Sequence, residues 1–228
     1  MATAMNRKRD GTVPRPTVNR LPLYRRALQV LVERGNRHAS SSELAEVVGV
    51  NPATLRRDLS LLGSYGTRGS GYEVAVLLGE VDKALAIDRD WPVAIVGVGN
   101  LGRALTRSEG FGSRGFRVAA LLDVDPKVVG ATIGGVKVEH LEEIDLACAR
   151  ERVAIGVITT PASVAQSVCD RLVRAGVHSI LNFAPAVLSV PPAVVVRQVD
   201  LALELQVLAF YRSRRGRQHV ASRSRQST

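Results

Sequence analysis

The chain has 228 residues, 46% of them apolar and 23% charged, which argues against a disordered protein and suits two compact domains. No apolar run reaches the ~18–20 residues of a membrane helix, and no apolar segment follows Arg7, Lys8 and Arg9 as a signal peptide requires. Two cysteines, Cys148 and Cys169, are too few for a disulfide framework or a zinc knuckle, so the expectation is a cytoplasmic protein without membrane or metal. The net charge of +10 lies in the two ends, +4 in residues 1–20 and +6 in residues 212–228, while residues 21–211 balance. Residues 1–19 and 212–228 read as disordered basic tails. They either add salt-dependent, sequence-blind affinity for phosphates or are mere solvated ends.

Residues 20–89 read as one domain. Leu21, Tyr24, Leu28, Leu31 and Val32 recur at helical spacing, with Pro22 in the first turn. Ser40 with Glu43 three residues on forms a capping-box pattern that opens a short helix over 42–48, and Gly49 ends it. Asn51 as N-cap and Pro52 at the first helical position start a second helix through Leu62. Two helices across a short glycine-bearing turn make a helix-turn-helix, whose second helix can enter a major groove. Leu55, Leu59 and Leu62 share one face, and Thr54, Arg57 and Ser60, with Arg56 to one side, point away from it. That exposed face suits phosphate and base-edge contacts, or is a solvated face in an arginine-rich chain. Residues 64–72, rich in glycine around Arg68, read as a tight hairpin, the wing of a winged helix, with an ordinary linker as the alternative. Helical spacing returns over 73–87.

Residues 90–199 read as a second domain. A β-branched run, 92–98, leads into Gly97-Val98-Gly99-Asn100-Leu101-Gly102 and then a helix, the strand–loop–helix context that a dinucleotide fingerprint requires. Its glycines allow a tight turn and a close approach of backbone N–H groups to a pyrophosphate. The strand 116–122 ends in Asp123, whose carboxylate suits a ribose 2′-hydroxyl and so favours NAD(H) over NADP(H), with Lys127 close by. A third strand, 153–159, meets Thr160 and Pro161, an N-cap and a first-turn proline. A fourth, 178–183, ends in Asn182-Phe183-Ala184-Pro185. Thr160, Pro161, Asn182, Phe183 and Pro185 thus fall on the carboxyl rim of a doubly wound sheet, where ligands bind; loop turns are their other role. The helix 200–211 is apolar almost all round and must be buried, with a partner subunit as a candidate cover. No catalytic acid or base is legible. His38, His140, His178 and His219 are scattered, no tyrosine has a lysine four residues on, and the cysteines read as packed thiols.

The motifs Leu55-Arg56-Arg57-Asp58-Leu59-Ser60, residues 63–69, Gly97 to Gly102, residues 122–126 and Asn182-Phe183-Ala184-Pro185 resemble those of the Rex family of redox-sensing transcriptional repressors, and the match spans nearly all of residues 20–211. The resemblance implies an α/β protein, a winged helix followed by a Rossmann-like doubly wound parallel sheet and a C-terminal helix over 200–211 swapped between subunits of a homodimer. It implies a non-enzymatic repressor on palindromic operator DNA, released when NADH closes the dimer, with NAD+ competing for the same site. It assigns DNA contacts to Arg56, Arg57, Ser60 and Arg68, and cofactor contacts to Gly97, Gly99, Gly102, Asp123, Thr160 and Phe183. It pairs Arg26 with Asp200 in a state-dependent bridge between subunits. Arg57 stands where the family usually has lysine, Leu61 and Leu62 where it is often aromatic, and Ser108 where it often carries a tyrosine linked to that bridge.

Overall fold

The computed structural model describes residues 13–63, 65–67, 71–112 and 114–224. The chain divides into two compact units after Arg89.

The first unit contains α1 (Arg15–Glu33), β1 (His38–Ala39), α2 (Ser41–Val48), α3 (Pro52–Leu62), β2 (Gly66–Thr67), β3 (Gly71–Glu73) and α4 (Val74–Ala84). The capping box is formed: Glu43 N–H donates to Ser40 Oγ at 3.2 Å and Ser40 N–H to Glu43 Oε2 at 2.7 Å. Gly49, at φ 75°, closes α2 in the left-handed region that favours glycine. The Asn51 side chain accepts the Ala53 N–H at 2.8 Å and opens α3 with Pro52 behind it. β2 and β3 pair antiparallel, and β3 also pairs with β1, so a three-stranded sheet β1-β3-β2 carries the expected wing. Leu21, Tyr24 and Leu28 of α1 close the core with Leu44, Leu55, Leu59, Leu77 and Val81.

Two expectations change here. The first helix begins at Arg15, inside the stretch read as a disordered tail over 1–19, because Pro16 sits in the first turn, where no N–H is needed, and Thr17 is buried. Pro22 therefore lies mid-helix rather than in the first turn, and it lies on the exposed side.

The second unit is a seven-stranded sheet of order β10-β9-β8-β4-β5-β7-β6. Its strands are β4 (Trp91–Val96), β5 (Phe116–Asp123), β6 (Thr132–Ile133), β7 (Val136–His140), β8 (Ile155–Ile158), β9 (Ser179–Asn182) and β10 (Val195–Gln198). Every pairing is parallel except β6 with β7. Along β4, Val93 and Ile95 pack on one face and Ala94 and Val96 on the other, all buried, as a strand covered on both faces requires. Helices α5 (Asn100–Thr106) and α6 (Glu109–Gly112) follow β4. Helix α7 (Ile144–Glu151) and the amphipathic α8 (Ala162–Arg174) build the core with Ala165, Val168, Cys169 and Leu172. Burial pushes the Cys148 thiol up to about 11 and raises that of Cys169, so both are packed, unreactive thiols.

The final helix, α9, runs Leu201–Ser224 rather than stopping at Tyr211, so residues 212–224 are helix and not a tail. Five of those thirteen residues are arginine, a good helix former. Leu201, Leu203, Leu205, Leu208, Phe210 and Tyr211 are all exposed. No helix among the described residues is long and apolar enough to cross a membrane.

Candidate functional site

On α3, Leu55 and Leu59 face the core, while Arg56, Arg57 and Ser60 are exposed and Thr54 is half-buried. The Arg57 side chain pairs with nothing among the described residues, so its guanidinium is the freest of the set. Arg56 Nη1 donates to Ser41 Oγ at 3.0 Å, tying α3 to α2, and the Ser60 hydroxyl donates to the Arg57 carbonyl at 2.7 Å. At the foot of the wing, the Tyr65 hydroxyl lies 2.9 Å from the Leu62 carbonyl and 2.8 Å from Glu80 Oε2. Arg68 lies outside the described residues.

Asp58, visible in the sequence only as a letter in a motif, is the most engaged side chain among the described residues of this unit. It is buried at 2% exposure. Its Oδ1 accepts from Thr17 Oγ1 and Arg20 Nη2, both at 2.8 Å, and its Oδ2 from Arg20 Nε and Tyr24 Oη, both at 2.6 Å. Burial alone would raise its pKa, but the bonds from Arg20, Tyr24 and Thr17 outweigh it and hold the carboxyl below the ordinary carboxylate range. The signal was present in the sequence: an acid at the buried position of the Leu55, Leu59, Leu62 face requires buried donors.

In the second unit the chain turns to opposite sides of the sheet from β4, with β5 on one flank and β8 on the other, so the crevice outside their carboxyl ends is the topological switch point. The loop after β4 and the residues after β8 meet there. A Cβ on Gly97 would sit 2.9 Å from the Thr159 carbonyl and from Thr160 Cγ2, and one on Gly102 would collide with the Gly97 carbonyl oxygen. A Cβ on Gly99 meets nothing within 4 Å. Two of the glycines are thus required by the protein's own packing, and the third faces open space. Asn100, Leu101 and Gly102 stand in the first turn of α5, where backbone N–H groups have no helical acceptor. Asn100 and Leu101 are exposed beside Gly99.

Asp123 Oδ2 accepts the Val98 N–H at 2.5 Å, and Oδ1 accepts those of Val124 and Asp125 at 2.7 and 2.9 Å. This carboxylate therefore shapes the glycine loop, with its fourth lone pair left for a ligand hydroxyl. Val98 is buried, with its N–H on Asp123 and its carbonyl on Arg103 Nε at 3.1 Å. The Thr159 hydroxyl reaches the Gly97 carbonyl at 2.5 Å. Thr160 Oγ1 is buried without a hydrogen-bond partner. It does not cap α8, as its position suggested. The N-cap is Pro161, which is exposed and makes no side-chain cap bond. An orphaned hydroxyl, on a threonine packed against Gly97 of the loop, is what a crevice built for a polar ligand presents.

Asn182 takes the loop-turn geometry that the sequence leaves open beside ligand contact. It is fully buried, its Nδ2 donates to the carbonyls of Ala184 and Ala186 and to Gln198 Oε1, and its Oδ1 accepts the Ala184 N–H. Its amide is spent on folding the loop that presents half-buried Phe183, so it orders the rim rather than facing a ligand. A separate apolar cavity of about 350 Å³, away from the glycine loop, opens among Val93, Phe111, Ile155, Leu181 and Val195. Arg26 is exposed on α1, and the Asp200 carboxylate caps α9, accepting from Ala202 and Leu203 at 2.9 and 3.4 Å.

Comparison with known proteins agrees with this division. A family model described as "Putative DNA-binding protein N-terminus" matches residues 12–60, and a CoA binding domain model matches residues 88–186. The redox-sensing transcriptional repressor Rex of Streptomyces griseus is 56% identical over 214 residues, 94% of this chain and 85% of its own length. That of Syntrophomonas wolfei is 46% identical, covering 87% of this chain and 95% of its own. Among solved structures, the repressor RSP in complex with β-NAD+ and operator DNA is similar at TM-score 0.85 and 34% identity, covering 90% of this chain and 95% of that one. RSP in complex with β-NADH gives 0.82 and 32%, covering 90% and 97%.

Proposed function

The chain belongs to the Rex family of redox-sensing transcriptional repressors, and from that premise we propose that it holds a palindromic operator as a homodimer and releases it when NADH enters the crevice beside Gly99. It is a repressor and not an enzyme. A cytoplasmic location is the one that a DNA-binding repressor of this family implies. The observation that carries the reading is that one chain joins an outward-facing Arg57 on a helix-turn-helix to a glycine loop with open space at Gly99 and an orphaned Thr160 hydroxyl.

On this reading Thr54, Arg56, Arg57, Ser60 and Arg68 meet DNA, with Arg57 reading bases and Arg56 held by Ser41 near the backbone. Gly97, Val98, Gly99, Asn100, Leu101 and Gly102 form the loop that takes the pyrophosphate, Asp123 takes a ribose hydroxyl, and Thr160, Pro161 and Phe183 line the nicotinamide side, with Asn182 acting through the loop. NADH and NAD+ supply no bond chemistry here; they compete as regulatory ligands. NADH lowers operator affinity because it binds the DNA-free arrangement more tightly than the DNA-bound one. The exposed apolar face of α9 and the apolar cavity at Ile155 and Leu181 are the two halves of a swapped dimer contact. Arg26 and Asp200 act as its state-dependent charge pair. A mobility-shift titration of operator duplex with NADH, against NAD+ as control, tests the reading. Release by NADH at concentrations where NAD+ leaves the complex intact supports it, and equal affinity in both overturns it.

A further inference from the structure

Asp58 has no surface through which to touch a ligand, yet it sits on the helix whose exposed side carries Arg57. Thr17, Arg20 and Tyr24 lie at i, i+3 and i+7 of α1, a single helix face, and converge on this one carboxylate, two donors to each oxygen. The rest of the buried side of α3 is leucine, Leu55 and Leu59. Apolar contact is non-directional, so it fixes how deeply α3 is seated and leaves its rotation soft. Charge-assisted bonds are directional and strong.

We propose that Asp58 is a positioning residue for DNA discrimination: its bonds to α1 fix the rotation of α3 about its own axis, and with it the direction in which Arg57 leaves the protein. The proposal rests on the repressor reading above. Asp58 is one residue from Arg57, about 100° round the helix, so the two move as one lever. A turn of about 20° carries a group ~5–6 Å from the helix axis through about 2 Å, more than a hydrogen bond to a base edge tolerates. Phosphate contacts, by contrast, survive such a shift, because a flexible arginine finds another oxygen. Stability alone does not call for this ion pair, since a buried pair is commonly no better than a well-packed apolar replacement.

The test compares full-length parent, Asp58→Asn, Thr17→Val and Tyr24→Phe on two duplexes. One is the duplex the parent enriches most strongly from a randomised library, and the other is a scrambled duplex of the same composition. The readouts are the affinity ratio between the two, the affinity for the scrambled duplex, NADH affinity and melting temperature. We expect Asp58→Asn to lower the ratio about tenfold and Thr17→Val about threefold, with scrambled-duplex and NADH affinities unchanged. A merely structural role lowers the melting temperature and leaves the ratio where it was, which overturns the proposal. If Asp58→Asn does not fold, Thr17→Val and Tyr24→Phe decide it by the same criterion. A parent that enriches no duplex overturns the repressor reading itself, and the proposal with it.

Discussion

A methyl group on Gly99 has room on every side, while one on Gly102 strikes the Gly97 carbonyl. Gly99 is the N-cap of α5, where glycine is common, and on the proposed function it also leaves room for the pyrophosphate to lie against the backbone. Gly99→Ala should therefore keep the parent's melting temperature and lose NADH affinity, while Gly102→Ala should lose stability first. Thermal melts and a fluorescence titration with NADH check both; unchanged NADH affinity in Gly99→Ala would move the pyrophosphate elsewhere. Asp123 combines two duties, since three backbone N–H groups already converge on it. Asp123→Ala should cost NADH binding about 1.5–3 kcal/mol and leave cofactor-free operator binding intact, because that surface is in the other unit. The sequence told the glycines and Asp123 apart from their surroundings through spacing alone. It could not tell that Asn182 turns inward, because an asparagine after a strand serves a rim or a ligand equally well until its four acceptor and donor partners are seen.

Among the elements, the two N-caps, the capping box and Gly49 were legible because each is a local pairing of a side chain with its own backbone. The start of α1 was not: it depends on Thr17 reaching Asp58, 41 positions away. A second donor to the same carboxylate, Tyr24, carries a pH dependence. Burial, followed by the bond to Asp58, pushes the Tyr24 hydroxyl up to about 12 from an ordinary value near 10. The protonated tyrosine is thus favoured in the fold. Its contribution to stability is full below about pH 10 and is lost as pH rises toward 12, roughly 2–3 kcal/mol in all. Melting curves of the parent and Tyr24→Phe between pH 9 and 12 should converge as the pH rises. Parallel curves would show that Tyr24 is not the titrating group.

At the scale of the whole molecule, α9 leaves Leu205 and Leu208 at 65% and 62% exposure, a cost that a partner copy removes at about 1.5–3 kcal/mol for each buried leucine side chain. Leu205→Arg with Leu208→Arg should turn the dimer into a monomer by sedimentation and abolish tight binding to a two-half-site operator; a variant that stays dimeric would place the interface elsewhere. The apolar character of this helix was readable in the sequence, but its length was not, because the arginines past Tyr211 are as good helix formers as they are disordered-tail residues. On the proposed function the crevice and α3 are coupled, and coupling is reciprocal: the factor by which saturating NADH weakens operator binding must equal the factor by which operator weakens NADH binding. One thermodynamic cycle, with operator affinity measured with and without NADH and NADH affinity with and without operator, tests this most directly. Coupled sites give two equal factors of about 5–150. Factors of one on both arms would mean that this protein binds NADH and DNA without linking them.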